Sequence, residues 1–273
     1  MAEQSPYEKE ITLPSQGLLY GGALPEGRLT IKGMTIKEER LLVGNESGGQ
    51  VFNKVLSRLV ELPATAEGFT ISDLTIEDRL FCFINIRSLS MTPHYEFQYQ
   101  CGDCKDRVNG RVNLDKMELM PPTDLWYQDE NGEAKDAPEP FFVKLPNGDE
   151  IGWRFLRGND EEAITKFGRQ MARKARQEGD PEYTFRLAKH IVAIGDKSIV
   201  DKTLTFKEVR EYVETLRSAD TAELRNHMED NRAGIDMMYD DNCPLCGGSN
   251  EFILPFEARA FFRIHQRRGE LSS

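Results

Sequence analysis

Cys101-Gly102-Asp103-Cys104 and Cys243-Pro244-Leu245-Cys246 are two Cys-x-x-Cys turns, and each lies between strand-like segments. Upstream of the first, His94-Tyr95-Glu96-Phe97-Gln98-Tyr99-Gln100 alternates aromatic and polar residues, the period of a strand with one apolar face. Val108 to Leu114 can return as its partner. Around the second turn, Ile235–Tyr239 and Glu251–Leu254 make the same arrangement. A tight turn between two strands points both thiolates of a pair to one side. Two such turns facing each other bring four sulfurs to tetrahedral corners, which suits a structural zinc ion. Gly102, Gly247 and Gly248 serve the tight backbone of such knuckles.

The spacing is unusual. Cys104 and Cys243 stand 139 positions apart, where a compact zinc ribbon has roughly 15–20 residues between its pairs. The expectation is a ribbon split by everything from about 115 to 234. Metal affinity would then become folding free energy for chain segments distant in sequence. Redox thiols, disulfides and unliganded cysteines are the alternatives, and iron is an alternative metal. A redox pair would want its first cysteine at a helix N-terminus, and neither pair precedes a convincing helix. A catalytic zinc would need an open coordination position, which four thiolates do not leave. Cys82, in the apolar run Leu80-Phe81-Cys82-Phe83-Ile84, reads as a buried small hydrophobe.

Outward from the knuckles, residues 1–33 form an extended, turn-rich arm. Pro6, Pro14, Gly17, Gly21, Gly22, Pro25, Gly27 and Gly33 interrupt any helix there. Its apolar groups, Leu13, Pro14, Leu18, Leu19 and Tyr20 among them, must lie on their own domain or on a partner. These five, with Phe261 and Phe262 near the C-terminus, are the candidate partner-binding residues. Residues 34–93 are helical. Thr35 and Glu38 have capping-box spacing, Gln50–Leu62 carries an apolar stripe, and a third helix opens near Thr75. Residues 94–119 are the first half of the ribbon. Residues 120–157 are linker plus hairpin, the hairpin signalled by Asn147-Gly148 between Phe141–Leu145 and Ile151–Phe155. Residues 158–233 are a large, mainly helical insertion, with Ile191 and Ile194 assigned to its second helix and Thr205/Glu208 capping its third. Residues 234–255 are the second half of the ribbon, and 256–273 an amphipathic helix and tail. The fold class is therefore α+β.

The chain has 273 residues, 39% hydrophobic and 30% charged, long enough to bury a core without disulfides. No run approaches the roughly 18 apolar residues of a spanning helix, and the N-terminus shows no secretory pattern. With 35 basic and 46 acidic residues, the net charge of −11 argues against nucleic-acid or acidic-lipid partners. The four histidines, His94, His190, His227 and His265, are scattered. Phosphate-loop and nucleophile-elbow motifs do not occur. No catalytic residue and no small-molecule substrate is expected. The basic residues Lys166, Arg169, Arg173, Lys174 and Arg176 read first as a solvated helix face.

The arm Leu13-Pro14-Ser15-Gln16-Gly17-Leu18-Leu19-Tyr20, then Leu24-Pro25-Glu26-Gly27 and Met34-Thr35-Ile36-Lys37-Glu38-Glu39, resembles the baseplate hub protein family of T-even-like contractile-tailed bacteriophages (myoviruses). So do Leu74-Thr75-Ile76-Glu77-Asp78-Arg79-Leu80-Phe81, Arg87, Tyr95, both cysteine pairs, Leu254-Pro255-Phe256 and Phe261-Phe262. The resemblance covers about 1–115 and 240–265 and leaves 120–235 unmatched. It implies a non-enzymatic structural or assembly protein of the tail, working through contacts with other hub proteins or the tape-measure protein. It implies assembly in the host cytoplasm and, where the protein is retained, a place in the virion baseplate. A transient assembly chaperone is one alternative; a zinc-ribbon enzyme or regulator is an alternative of another class.

Overall fold

The computed structural model describes residues 6–43, 49–129, 131–172, 180–255 and 261–262. The N-terminal segment folds on its own body. Strand β1 (Glu8–Thr12) pairs antiparallel with β2 (Arg28–Lys32), and Leu13 to Gly27 close the connection with two short 3-10 turns. Gly17 and Gly27 meet backbone to backbone there. A Cβ on Gly17 (φ +77) would stand 2.0 Å from the Leu24 carbonyl oxygen, so only glycine fits.

Helix α1 (Ile36–Val43) starts at the Thr35/Glu38 box, where the Thr35 N–H donates to the Glu38 carboxylate at 3.1 Å. Helix α2 (Gly49–Leu59) is shorter than its apolar stripe suggests. Val60–Glu61 leave the helix and become β3, paired with Thr30 and Ile31 of β2. The open edge of β2 satisfies their backbone better than a last helical turn before Pro63 can. Helix α3 (Ile76–Ser90) is the axis of this body. Asp78, Arg79, Phe81, Cys82, Phe83, Ile84, Ile86 and Arg87 are all buried, so α3 is enclosed on nearly every side, not along one stripe. Cys82 is fully buried in the apolar core, and burial pushes its thiol pKa far up.

Strands β4 (His94–Gln100) and β5 (Arg107–Asn113) form the first cysteine hairpin. The segment to 140 is not a free linker. Leu119–Met120 (β6) is a strand, and Trp126 is only 2% exposed, its indole N–H donating to the Asn231 carbonyl. Strands β7 (Phe141–Lys144) and β8 (Glu150–Trp153) make the expected hairpin. Its turn differs in detail: Gly148 takes φ +96, whereas Asn147 is not left-handed. Pro146, locked at negative φ, sits where a mirror-image turn would need a positive value.

Helices α4 (Gly158–Ala172) and α5 (Pro181–His190) follow. Ile191–Ile194 form a strand, β9, and not a continuation of α5. β9 pairs with β8 and with β10 (Lys197–Ser198), giving a four-stranded sheet of order β10-β9-β8-β7. The run Ile-Val-Ala-Ile is better suited to a pleated, half-buried surface than to a helix. The insertion is therefore α+β with its own core, in which Trp126, Phe141, Trp153, Leu187, Val209 and Leu224 meet. Helices α6 (Phe206–Thr215) and α7 (Ser218–Asp230) complete it. Buried Asp220 of α7 accepts the Asn147 N–H at 2.9 Å and so clamps the β7–β8 turn. Gly234–Ile235 (β11) then pairs with β6 and closes the base of the insertion. Strands β12 (Met238–Asn242) and β13 (Ser249–Ile253) form the second cysteine hairpin. Of the expected C-terminal amphipathic helix and tail only Phe261 and Phe262 are described; 256–260 and 263–273 lie outside the described residues, as do Arg173, Lys174 and Arg176. No described helix is long and apolar enough to cross a membrane.

His190 at the end of α5 places Nδ1 2.9 Å from the Arg154 carbonyl oxygen. Burial, with Arg154 and Arg186 nearby, lowers its pKa from 6.5 to about 4. The folded state thus holds the neutral imidazole. Stability from this group is full above pH 6.5 and is lost as pH falls toward about 4, because the unfolded chain binds the proton first. In His190→Gln that part of the acid loss should disappear. Chemical denaturation of both proteins at pH 7 and pH 4.5 measures the difference.

Candidate metal centre

The two cysteine turns have the same backbone frame. The Cys101 N–H donates to the Asp106 carbonyl and the Lys105 N–H to the Cys101 carbonyl, at 3.0 and 3.2 Å. Five and four residues along the second turn, the Cys243 N–H donates to Gly248 and the Gly247 N–H to Cys243, both at 2.8 Å. Each frame lifts two sulfurs to the same side. The four Sγ atoms all lie within 4.8 Å of one another, with Cys101–Cys246 at 3.7 Å and Cys104–Cys243 at 3.9 Å. A zinc ion bound by thiolates at about 2.3 Å puts sulfurs about 3.8 Å apart at tetrahedral corners. All four are free thiols. The cluster fits a thiophilic metal ion.

The electrostatics agree with that fit. Backbone N–H groups of Asp103 and Cys104 lower the Cys101 thiol to about 6. The Asp106 backbone favours the Cys104 thiolate, but burial and the neighbouring thiols outweigh it and push Cys104 up to about 12. One sulfur ionises readily; the set ionises together only when a cation offsets the mutual repulsion. Tyr99 adds a buried hydroxyl with no hydrogen-bond partner among the described residues. Its pKa is raised by burial and by nearby Asp241, Cys243, Cys101 and Cys246, so it stays protonated beside the sulfurs.

Asn250 braces the two knuckles. Its Oδ1 accepts the Gly102 N–H at 2.9 Å and its Nδ2 donates to the Gly248 carbonyl at 3.0 Å, and the residue is buried. A polar residue in a strand of unremarkable composition gives no local sign of this role. Behind the knuckles, Phe97 and Tyr99 of β4 pack on Tyr239 and Phe252, with ring centroids 4.9–6.1 Å apart. Gly110, opposite Phe97 in the ladder, leaves space for that ring; a Cβ there would come within 2.5 Å of it. The two turns fill one left-handed backbone position with different residues. Lys105 holds φ +63 where the second knuckle has Gly247 at φ +76. Lys105→Gly should stabilise the protein by about 1 kcal/mol, the cost of a left-handed non-glycine residue. A melting temperature at or below that of the wild type would contradict this.

A family model described as T4 bacteriophage base plate protein matches residues 10–263. The chain belongs to that family. Comparisons with curated proteins and with solved structures give no match. The matched span includes both knuckles and also the insertion, which the sequence resemblance alone did not cover.

In this base plate protein the family-like segments converge around α3. Asp78 is fully buried, and its carboxylate accepts from the Ser15 hydroxyl and the Tyr20 hydroxyl, each at 2.5 Å, and from the Ser15 N–H at 3.2 Å. The Thr75 N–H donates to the Tyr20 hydroxyl oxygen at 3.1 Å. Arg87, near the other end of α3, stacks on Tyr95 and Phe261 and donates from Nε to the Phe261 carbonyl at 2.6 Å. The Tyr95 hydroxyl donates to the Pro255 carbonyl at 2.9 Å. The structure thus corrects the expected docking surface. Leu13, Pro14, Tyr20, Phe261 and Phe262 are buried in the protein's own core, and Leu18 and Leu19 are half-buried where the two cores meet. Apolar groups in the arm find their partner within the chain, because β1 and β2 fold the arm back onto α3.

Proposed function

We propose that the protein is a non-enzymatic component of the baseplate hub in a contractile phage tail, with a structural zinc ion at Cys101, Cys104, Cys243 and Cys246. Membership of the base plate family gives the tail setting. The observation that carries the rest is the four-thiolate cluster, which joins chain segments on both sides of the insertion. Four sulfurs saturate zinc, so the ion supplies rigidity and no reaction centre. The residues would form a split zinc ribbon, and the metal would hold a rigid body among other subunits. Partners are other hub or tail proteins, with the tape-measure protein among the candidates. The net charge of −11 supports protein partners over nucleic acid. The chain would assemble in the host cytoplasm and remain in the virion baseplate.

Mass spectrometry of purified tails tests the role. A fixed stoichiometry in finished particles supports the hub reading. Presence only in assembly intermediates would replace it with a transient chaperone of hub or tape-measure proteins. Elemental analysis tests the metal: near one equivalent of zinc is expected, and iron in its place would revise the ion. Turnover, or nucleic-acid binding that survives moderate salt, would instead favour a zinc-ribbon enzyme or regulator.

A further inference from the structure

One buried group beside the cysteine cluster has no partner. Alternate positions of a strand share a face, so β4 sets Tyr99 on the side of its hairpin that leads on to Cys101. Tyr99 packs against the cluster of Cys101, Val108 and Cys243. Its ring centroid stands 6.0 Å from that of Tyr239 and 5.0 Å from that of Phe252. The hydroxyl oxygen is buried and bonds to no described residue. An unpaired buried hydroxyl is destabilising, and native structures seldom keep one without a use for it. The neighbouring tyrosine shows the usual outcome: the Tyr239 hydroxyl donates to Asp241 Oδ2 at 2.8 Å.

Asp241, Cys243, Cys101 and Cys246 stand near that hydroxyl, and they differ in what they already accept. Asp241 takes the Tyr239 hydroxyl on one oxygen and the Asn242 N–H on the other. Cys101 Sγ takes the Asp103 N–H at 3.4 Å. Cys246 is exposed, so water can serve it. Cys243 is 2% exposed, and among the described residues its sulfur makes one hydrogen-bonding contact, with the Cys104 sulfur at 3.9 Å. That contact needs a proton on one of the two sulfurs, and metal binding removes it. A divalent ion held by four thiolates leaves excess negative charge on the sulfurs, and a buried charge without a donor is unfavourable. A donor without an acceptor and an acceptor without a donor therefore lie in one packed cluster.

We propose that Tyr99 is a positioning residue of the metal centre, its hydroxyl donating to the Cys243 thiolate when the ion is bound. The inference rests on the metal reading of the four cysteines. Hydrogen bonds from groups behind the ligands orient them and tune their hold on the ion. Tyr99 does for Cys243 what the Asp103 N–H does for Cys101. The same hydroxyl weakens the metal-free fold, where it is unpaired, and strengthens the loaded one.

The test uses the full-length protein with zinc, and with cobalt(II) as a coloured substitute for zinc. Tyr99→Phe removes the hydroxyl and keeps the ring. It should bind zinc roughly tenfold or more weakly in competition with a chelator. In the cobalt-loaded variant the sulfur-to-metal charge-transfer band should move to lower energy, because a thiolate that loses a hydrogen bond gives up electron density more easily. Tyrosine fluorinated beside the hydroxyl at position 99 is a stronger donor. It should move the band the other way, and it decides the matter if Tyr99→Phe fails to fold. A band that neither change moves would overturn the proposal. So would weaker zinc binding in Tyr99→Phe with the band in place, which assigns the effect to packing. A Tyr99→Phe effect that disappears in the Asp241→Asn background would overturn it too and assign the hydroxyl to that carboxylate. Failure of the wild type to bind either ion would instead sink the metal reading, so the two failures are distinguishable.

Discussion

Cys243→Ser is expected to reduce bound zinc from near one equivalent to almost none and to lower folding stability by about 5 kcal/mol or more. Structural zinc sites contribute about 10–16 kcal/mol of apparent binding energy to folding near neutral pH. A serine hydroxyl does not ionise in this range and cannot replace the thiolate. Cys243 is 2% exposed, and its own N–H anchors the second knuckle through Gly248. The change therefore leaves three thiols facing one another without a cation. Its effect should spread unevenly. The insertion is closed at its base by the β6–β11 ladder, independently of the cysteine cluster, and it has its own core. Both tryptophans, Trp126 and Trp153, lie in that second core. Tryptophan fluorescence should therefore report a smaller shift than zinc release or far-ultraviolet circular dichroism. Cys82→Ala is the control: it alters the core around α3 and should keep the metal. A Cys243→Ser protein that retained zinc, or melted with the wild type by every probe, would refute the assignment of the site.

Asp78→Ala should cost about 3–5 kcal/mol, the largest effect expected from any single change away from the metal. Three donors converge on this carboxylate: the Ser15 hydroxyl, the Ser15 N–H and the Tyr20 hydroxyl. Alanine leaves the Ser15 hydroxyl and N–H buried and unpaired and leaves the Tyr20 hydroxyl only its longer contact, 3.3 Å to Thr75 Oγ1, and each unsatisfied group costs about 1–3 kcal/mol. Burial raises the Asp78 pKa, and the hydrogen bonds from Ser15 and Tyr20 pull it back only in part. Asp78→Asn keeps the shape and one acceptor oxygen, so it should lose less than half as much. Urea denaturation of the three proteins gives the comparison. Equal losses for alanine and asparagine would mean that packing, not the hydrogen bonds, holds the arm to α3. The same network makes residues 1–33 part of the fold. Deleting them should unfold the N-terminal body, since it takes away β1, β2 and both partners of Asp78.

Features that depend on near neighbours were legible in the chain. The Cys-x-x-Cys spacing, the alternation of His94–Gln100 and the capping boxes at Thr35/Glu38 and Thr205/Glu208 each state a local preference that the structure realises. Short apolar runs were not legible. Ile191–Ile194 reads as well on a helix as on a strand, and only the vacant edge of β8 decides it. Gln50–Leu62 ran two elements together because the pairing of Val60 with Ile31 lies outside any local window. Trp126 was hidden among prolines and acids, although its size alone signals burial. The four clustered cysteines were readable and Asn250 was not. Cysteines carry their chemistry in their identity, whereas the brace exists only once two hairpins face each other.

The amino-acid order alone placed four cysteines at two hairpin turns and helices on either side of the first hairpin in the chain. Thiolate chemistry, hydrogen-bond periodicity and net charge act at short range or over the whole molecule, so they survive without coordinates. Where the arm packs and which strands share a sheet follow only from the folded chain. Those depend on contacts between residues far apart in the chain, such as Ser15 with Asp78, Trp126 with Asn231 and Phe97 with Tyr239. Each forms only after the backbone has closed a long loop, and the entropy of that closure is recovered from the whole set of contacts together.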